Sequence, residues 1–176
     1  MRINEIYSSL QGEGLLAGTP SVFIRITGCN LRCHWCDTPF TSWEPTGKQM
    51  TIPEVLRVVE KHEQRHVVVT GGEPLLFNET VDLCNQLRHQ SYHVTIETAG
   101  TVIPQSFGNE IHSDLMSISP KLSSSSPDTN TSLSWSKRHQ ASRRQDDILR
   151  SLIASGPWQM KFVIETREDL DEADAW

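Results

Sequence analysis

Three cysteines within one short segment constrain this chain more than any other feature of its sequence. Cys29, Cys33 and Cys36 have the spacing C-x3-C-x2-C in the segment CNLRCHWC. A secreted disulfide scaffold spreads its cysteines along the chain, whereas thiols this close together in a reducing compartment indicate a metal or cluster site. Thiolates are the ligands of iron–sulfur clusters, and three of them leave one iron of a [4Fe–4S] cluster open to bind another molecule.

A structural zinc site is the alternative interpretation of these cysteines. The fourth ligand would then be His34 or the distant Cys84, and the protein would be a metal-binding interaction module rather than an enzyme. The three-residue first gap and the lack of a second C-x2-C pair disfavour zinc. Cys84 falls at an apolar position of a predicted helix, so we interpret it as a small core residue.

Length and charge restrict the possible partners. The 176 residues predict a single domain, 1–176, and the net charge of -6 gives no general attraction to nucleic acid or to an anionic membrane. The longest apolar runs are too short to span a bilayer, and the N-terminal segment MRINEIYSSLQGEG lacks the pattern of a signal peptide. We therefore expect a cytoplasmic protein without direct nucleic-acid or membrane partners.

Strand and helix patterns alternate along the chain. Strands are predicted over 22–28, 67–70, 93–100, 115–121 and 159–165, and helices over 51–66, 79–90 and 145–155. This alternation predicts an α/β fold with parallel strands and right-handed crossovers, in which chemistry takes place at the carboxyl ends of the strands. The motifs CNLRCHWC, GGEP, ETAG and SPK lie at such ends, so we expect them to form one site.

The Ser-rich stretch 123–144 has few apolar residues, and we expect it to be a mobile surface loop or a lid. Its basic residues could contact RNA, but a solvated loop segment is the simpler interpretation. These basic residues are Lys137, Arg138, Arg143 and Arg144.

The segment TGGEP, residues 70–74, follows the strand-like run VVVT. Glycines at a strand end allow the backbone to approach a ligand closely, and Glu73 can accept charge-assisted hydrogen bonds from an ammonium group. A simple tight turn is the alternative.

CNLRCHWC is similar to the C-x3-C-x-aromatic-C signature of the radical S-adenosylmethionine (SAM) superfamily, and GGEP strengthens that resemblance. In the superfamily the open iron binds SAM, and reduction of the cluster cleaves SAM to a 5′-deoxyadenosyl radical. The resemblance implies a partial radical SAM βα barrel of parallel strands. Relatives continue with a further strand and a tail near the substrate, whereas this chain ends at DLDEADAW, so the C-terminal part of the barrel is expected to be short or missing.

Within the superfamily, INEIYSSLQGEG (3–14) and FIRITGCNLRCHWCDT (23–38) resemble the 7-carboxy-7-deazaguanine synthase family. SLQGEG and CDT are the discriminating parts. The resemblance implies a lyase that converts 6-carboxy-5,6,7,8-tetrahydropterin to 7-carboxy-7-deazaguanine with loss of ammonia, in the biosynthesis of queuosine and other 7-deazapurines. It also implies Mg2+, an electron donor such as flavodoxin, and a homodimer.

The resemblance assigns roles to the residues that match these motifs. The implied cluster ligands are Cys29, Cys33 and Cys36, and the implied Mg2+ ligand is Thr38. The implied SAM-binding residues are Gly72, Glu73, Ser119, Pro120 and Lys121. The implied substrate-binding residues are Leu10, Gln11, Gly12, Glu13, Arg25, Thr70 and Glu97. No side chain is assigned as catalytic, because the cluster and SAM generate the radical.

Alternatives remain open at this point. Arg25 could form a structural ion pair, and Thr38 could serve as a helix cap or turn residue. A glycyl-radical activase shares the small size and the cysteine motif, although SLQGEG, Arg25 and Thr38 favour a pterin pocket. A relative that keeps the cluster but has lost pterin turnover is a further alternative.

Overall fold

The computed structural model describes residues 1–108 and 112–176, and its main element is one seven-stranded sheet. The strands are β1 (Arg2–Leu10), β2 (Pro20–Ile26), β3 (Lys48–Gln49), β4 (His66–Gly71), β5 (His93–Thr98), β6 (Leu115–Ile118) and β7 (Trp158–Met160). They lie in the order β3-β1-β2-β4-β5-β6-β7. From β2 to β7 neighbouring strands are parallel, which confirms the predicted α/β architecture.

The sheet has an antiparallel edge that the sequence analysis did not predict. β1 pairs with β2 and with β3 in the antiparallel direction. The segment that resembles the family's N-terminal motif therefore begins as a strand, and the loop 11–19 follows at its end. The order of strands runs from β3 at one edge to β7 at the other without closure, as expected for a partial barrel.

Six α-helices accompany the sheet among the described residues. They are α1 (Pro39–Ser42), α2 (Ile52–Val59), α3 (Asn78–His89), α4 (Thr129–Ser142), α5 (Asp146–Ala154) and α6 (Arg167–Asp174). α2 begins with a capping box in which Thr51 and Glu54 bond each other's backbone. It ends well before residue 66, the predicted end, because its buried apolar stripe stops at Val59.

The hydrophobic core lies between one face of the sheet and the helices α2, α3 and α5. Alternate residues of the central strands face it, for example Val22, Ile24 and Ile26 of β2, all of which have 0% exposure. Since side chains of a strand alternate between faces, Phe23 and Arg25 project to the opposite face. That second face is the wall of the cleft described below.

The stretch 123–144 is not an irregular loop, so that expectation was wrong. It contains a short 3₁₀ helix, Ser123–Ser125, and then α4, which has a kink at Ser132. His139 of α4 is fully buried, and Arg143 forms an ion pair of 2.6 Å with Glu172 of α6. Contacts with the rest of the fold therefore order a segment whose own apolar content is low.

The last strand is shorter than predicted. β7 covers Trp158–Met160, whereas the sequence pattern predicted 159–165. β7 pairs with β6, which ends at Ile118, so the residues after Lys161 have passed the end of their pairing partner. Among the described residues, no helix is both long and apolar enough to cross a membrane.

The packing of α3 on the sheet can be tested by its contribution to the free energy of unfolding. Leu87 is fully buried, so Leu87→Ala should lower the free energy of unfolding by about 2–5 kcal/mol through lost burial and a residual cavity. Leu133, which is 55% exposed, is the control, and Leu133→Ala should change stability by no more than about 0.5 kcal/mol. Urea denaturation followed by circular dichroism measures both. Equal effects of the two substitutions would contradict the described core.

Candidate active site

A cleft of about 720 Å³ lies at the carboxyl ends of the parallel strands. Most of the residues singled out from the sequence line it. These are Leu10, Gln11, Gly12, Glu13, Arg25, Thr38, Thr70, Gly72, Glu97, Ser119 and Lys121. The parallel topology brings these positions together from segments far apart in the sequence, as predicted for an α/β sheet.

The cysteine loop, residues 27–38, connects β2 with α1 and forms one side of the cleft through Trp35, Asp37 and Thr38. Its three cysteines and Cys84 are all free thiols. Cys29 Sγ accepts a hydrogen bond from Leu31 N at 3.4 Å, and Cys36 Sγ lies 3.3 Å from the Ser42 hydroxyl. These contacts orient the sulfur atoms of Cys29 and Cys36.

The buried thiols of the cysteine loop favour a ligand that carries positive charge, such as the iron atoms of a cluster. Burial raises the pKa of Cys29 to about 12 and that of Cys33 to about 11. Such thiols lose their protons only when positive charge compensates the thiolates, and iron supplies that charge. Trp35 Nε1 is also buried and has no hydrogen-bond partner among the described residues, so an acceptor beside the loop would satisfy it.

The three cysteine side chains are not arranged around one point, as the ligands of a single metal ion would be. No three or more His, Cys, Asp or Glu side chains of the described residues are grouped so that they could hold a single ion. In a cubane cluster each cysteine binds a different iron atom, so its three thiolates need not converge on one point.

Gly71, the last residue of β4, lies against the end of β2, and Gly72 after it lies against the cysteine loop. Gly72 N donates to Ile26 O at 3.0 Å and Glu73 N donates to Gly28 O at 2.7 Å. A Cβ on Gly72 would lie 2.2 Å from Gly28 O and 2.9 Å from Cys29 Cβ, so there is no room for a side chain. The glycines therefore permit close backbone contact between two strand ends, which is more than a simple turn would require.

The Glu73 side chain does not line the cleft. Its carboxylate is fully buried and accepts hydrogen bonds from Thr98 Oγ1 at 2.8 Å, Ala99 N at 2.8 Å and Leu75 N at 3.0 Å. Burial raises its pKa, and these hydrogen bonds offset part of the rise. The carboxylate thus ties the end of β4 to the end of β5, and Gly71 and Gly72 form the cleft surface instead. Pro120 is likewise buried and is not among the lining residues.

A polar row crosses the cleft face of the sheet. Arg25 of β2 lies opposite Thr70 of β4 in the parallel register, and Thr70 Oγ1 donates to Glu97 Oε2 at 2.8 Å. Arg25 Nε bonds Glu5 at 2.7 Å and its NH2 group bonds the Tyr7 hydroxyl at 2.8 Å. Arg25 therefore forms a structural ion pair with Glu5, and it also lines the cleft.

Sequence reasoning missed the lysine that faces this row. Lys161 lies just after β7, forms an ion pair with Glu13 and approaches Glu97 at 3.6 Å. Gln159 of β7 accepts from Leu15 N at 2.7 Å, so the loop 11–19 contacts the far edge of the open sheet. The period-two alternation of QMKFVIE could have indicated which residues face the cleft, but not the contact with Glu13 across 148 positions.

Three further residues line the wall of the cleft: Thr38, Lys121 and Gln11. Thr38 occupies the N-cap position of α1, yet its side chain makes no capping hydrogen bond. Lys121 Nζ donates to Ser119 Oγ at 2.9 Å and lies 5.3 Å from the centre of the Trp35 ring. Gln11 is nearly buried and donates to the Ser21 hydroxyl at 2.9 Å, so it holds the loop after β1 against β2.

Comparison with known proteins supports the same interpretation of the fold and motifs. Residues 23–156 match the sequence model of the Radical SAM superfamily. This match covers most of the chain, so the chain belongs to the radical SAM superfamily. Membership implies a [4Fe–4S] cluster and SAM as cofactors, and it is contrary to a zinc interaction module.

Individual relatives narrow the assignment. The chain is 47% identical over 173 residues to a 7-carboxy-7-deazaguanine synthase of Rhodopirellula baltica, covering 98% of this chain and 65% of the relative. It is 44% identical over 178 residues to a synthase of the same name from Halobacterium salinarum, covering 98% of this chain and 67% of the relative. The chain thus spans about two thirds of the length of these relatives. Within the superfamily it is a member of the 7-carboxy-7-deazaguanine synthase family, and the activase alternative is not favoured.

A solved structure is similar in fold. The crystal structure of QueE from Escherichia coli superimposes with a TM-score of 0.52 at 22% identity, covering 91% of this chain and 93% of that chain. The similarity confirms the partial-barrel fold.

The contact at Gly72 makes a prediction. Gly72→Ala should displace the cysteine loop because the new Cβ overlaps Gly28 O, and the affinity of the reconstituted chain for its cluster should fall by roughly tenfold or more. Gly12 is the matched control, since a Cβ there would meet nothing within 4 Å. Iron and sulfide analysis after anaerobic reconstitution measures both variants. A Gly72→Ala protein with the cluster content of Gly12→Ala would contradict the described contact.

Proposed function

We propose that this chain converts 6-carboxy-5,6,7,8-tetrahydropterin to 7-carboxy-7-deazaguanine with loss of ammonia. The observation that carries the proposal is the convergence of the motif residues on one cleft beside the cysteine loop. Its volume of about 720 Å³ lies in the range of small-molecule sites. The two similar synthases match 98% of this chain, and their name gives the product of the proposed reaction.

The cysteine loop is the part of the site that would hold the cluster, through Cys29, Cys33 and Cys36. When bound there, the cluster and SAM would supply the radical chemistry that the reaction needs. SAM would lie over Gly72 and against Ser119 and Lys121 at the ends of β4 and β6, while the buried Pro120 would position the backbone between the latter two. Glu73 would act beneath it, because its hydrogen bonds to the backbone hold Leu75 and Ala99 in place.

The polar row would bind the substrate. Arg25 and Lys161 supply positive charge that suits the substrate carboxylate, and a guanidinium can bind a carboxylate through two hydrogen bonds. Glu97 and Glu13 supply acceptors for the N–H groups of the pterin ring. Leu10, Gln11, Gly12 and Thr70 would form the remaining contacts.

Mg2+ is the third cofactor of the proposed reaction. Thr38 is its candidate ligand, because the hydroxyl makes no cap bond and the residue lines the cleft. Hydroxyl and carboxylate oxygens together with water are the ligands that Mg2+ prefers. The substrate carboxylate could complete such a coordination shell.

The proposed reaction also requires an electron donor. Reduction of the cluster needs a one-electron donor, and a small redox protein such as flavodoxin is our candidate. Clustered free thiols favour a reducing compartment, so we place the protein in the cytoplasm, and we propose a homodimer by analogy with the family.

An anaerobic assay tests the proposed reaction. The reconstituted chain is incubated with reductant, SAM, Mg2+ and 6-carboxytetrahydropterin, and mass spectrometry follows 7-carboxy-7-deazaguanine. Product should form with the native chain, and Cys33→Ala should abolish both cluster and product. Cys84, a buried thiol on α3, is the matched control, so Cys84→Ala should retain both. Cleavage of SAM without deazapurine would mean that the chain has the radical chemistry but acts on another substrate.

Substitution of Arg25 tests the substrate pocket. Arg25→Lys keeps the positive charge but loses the planar fork, so the KM for the carboxylated pterin should rise roughly tenfold to a hundredfold. Arg150, whose exposed side chain pairs with Asp147, is the control, and Arg150→Lys should leave KM unchanged. Steady-state kinetics at saturating SAM makes the comparison. An unchanged KM in Arg25→Lys would leave Arg25 with the purely structural ion pair to Glu5.

A further inference from the structure

His139 of α4 is a fully buried imidazole to which the proposed reaction gives no role. Its ring lies beneath the cysteine loop rather than in the cleft. His139 Nδ1 lies 3.1 Å from Arg32 N, and its Nε2 lies 2.8 Å from the Ser125 hydroxyl. The Nδ1 bond therefore connects α4 to the cysteine loop, and the Nε2 bond connects α4 to the 3₁₀ helix before it.

The hydrogen bonds select one tautomer of this histidine. A backbone N–H can only donate, so Nδ1 must accept from Arg32 N. The Ser125 hydroxyl donates its proton to Leu122 O at 2.6 Å, which leaves its oxygen to accept from Nε2–H. The imidazole is thus neutral with its proton on Nε2. In agreement, burial together with the nearby charges of Arg143, Lys121 and His34 lowers the pKa of His139 to about 4.

The residues on either side of Cys33, Arg32 and His34, are both hydrogen-bonded to the segment that contains His139. Arg32 N donates to His139, and His34 N donates to Ser125 O at 3.0 Å. The backbone on either side of Cys33 is therefore held by the 122–142 segment. A third contact adds to them, because the Arg32 guanidinium lies 4.0 Å from the centre of the Trp135 ring, one helical turn before His139.

We propose that His139 is a positioning residue that, together with Ser125, fixes the backbone around Cys33 and so sets the position of this thiol in the cysteine loop. The inference rests on the proposed function for the identity of Cys33 as a cluster ligand. The stretch 123–144 then acts as a rigid support of the cysteine loop. A substrate-closing lid, the role first expected from its sequence, would require it to leave these buried hydrogen bonds.

Two separate sets of contacts therefore hold different parts of the cysteine loop. Glu73 N holds the start of the cysteine loop through Gly28 O. The middle of the loop is held through Arg32 by His139 of α4 and through His34 by Ser125 of the 3₁₀ helix. Loss of the α4 contacts should loosen Cys33 while leaving the cleft side of the loop in place. The cluster should then be bound less tightly, with an altered electronic environment.

The first test measures the loop without any cluster. Hydrogen exchange of the peptide that contains Arg32 and His34 is compared in the apo chain for native protein, His139→Leu and His139→Asn. Leu cannot accept from Arg32 N, so exchange there should be about tenfold faster. Asn Oδ1 lies near the position of Nδ1 and can accept, so His139→Asn should restore most of the protection. Equal exchange in native protein and His139→Leu would overturn the proposal.

The second test uses the reconstituted holoprotein. His139→Leu should lose iron to a ferrous chelator several-fold faster than native protein, and the EPR spectrum of its reduced cluster should broaden or shift. Leu87→Ala is the control for a general loss of stability, because Leu87 lies on α3 and is as deeply buried as His139. Equal rates of iron loss in His139→Leu and Leu87→Ala, with an unchanged EPR spectrum, would reduce His139 to a core residue.

Two outcomes need a separate measurement. If His139→Leu does not fold, as judged by circular dichroism, His139→Asn is compared with His139→Gln, whose amide reaches the position of Nε2 instead of Nδ1. Asn should then protect the Arg32 amide and Gln should not, and equal protection would overturn the proposal. If native protein takes up no cluster, the proposed function fails, while the exchange experiment on the apo chain still decides the role of His139.

Discussion

The close backbone contact between the end of β4 and the start of the cysteine loop is the constraint on which the site depends. Gly72 and Glu73 donate to Ile26 O and Gly28 O, and the space between the two segments admits no side chain. The contact requires β2 and β4 to be parallel neighbours in the sheet. It places Cys29 Cβ next to Gly72, which lines the cleft.

Burial divides the polar groups of this region into two sets. Glu73 and His139 are fully buried, and each makes hydrogen bonds that tie strand ends or loop backbone together. Arg25, Glu97 and Lys161 lie on the cleft wall, where their ion pairs are exposed enough to be exchanged for those of a charged ligand. Buried polar groups are costly unless fully bonded, so the first set suits support and the second suits binding.

Much of the architecture could be predicted because it depends on local patterns. The apolar runs of β2, β4 and β5 and the periodic stripe of α2 can be read from the sequence, and their order implies a parallel sheet. β1 was missed because its alternation is weak and its residues are largely exposed, and β7 was overextended because pairing, rather than composition, ends it. α4 was mistaken for a loop because its apolar content is low and its order comes from contacts of His139, Trp135 and Arg143.

The sequence by itself determined the chemistry of this protein: three thiols at cluster spacing, a glycine pair at a strand end, and the motifs that place it in its family. Each of these features is local, so each can be recognised within one short segment of the chain. Only the tertiary structure decided that the Glu73 carboxylate faces inward, that Lys161 meets Glu13 and Glu97, and that His139 supports the cysteine loop. Each of these contacts joins segments far apart in the chain, and no periodicity specifies which distant partner a side chain will meet once the sheet has formed.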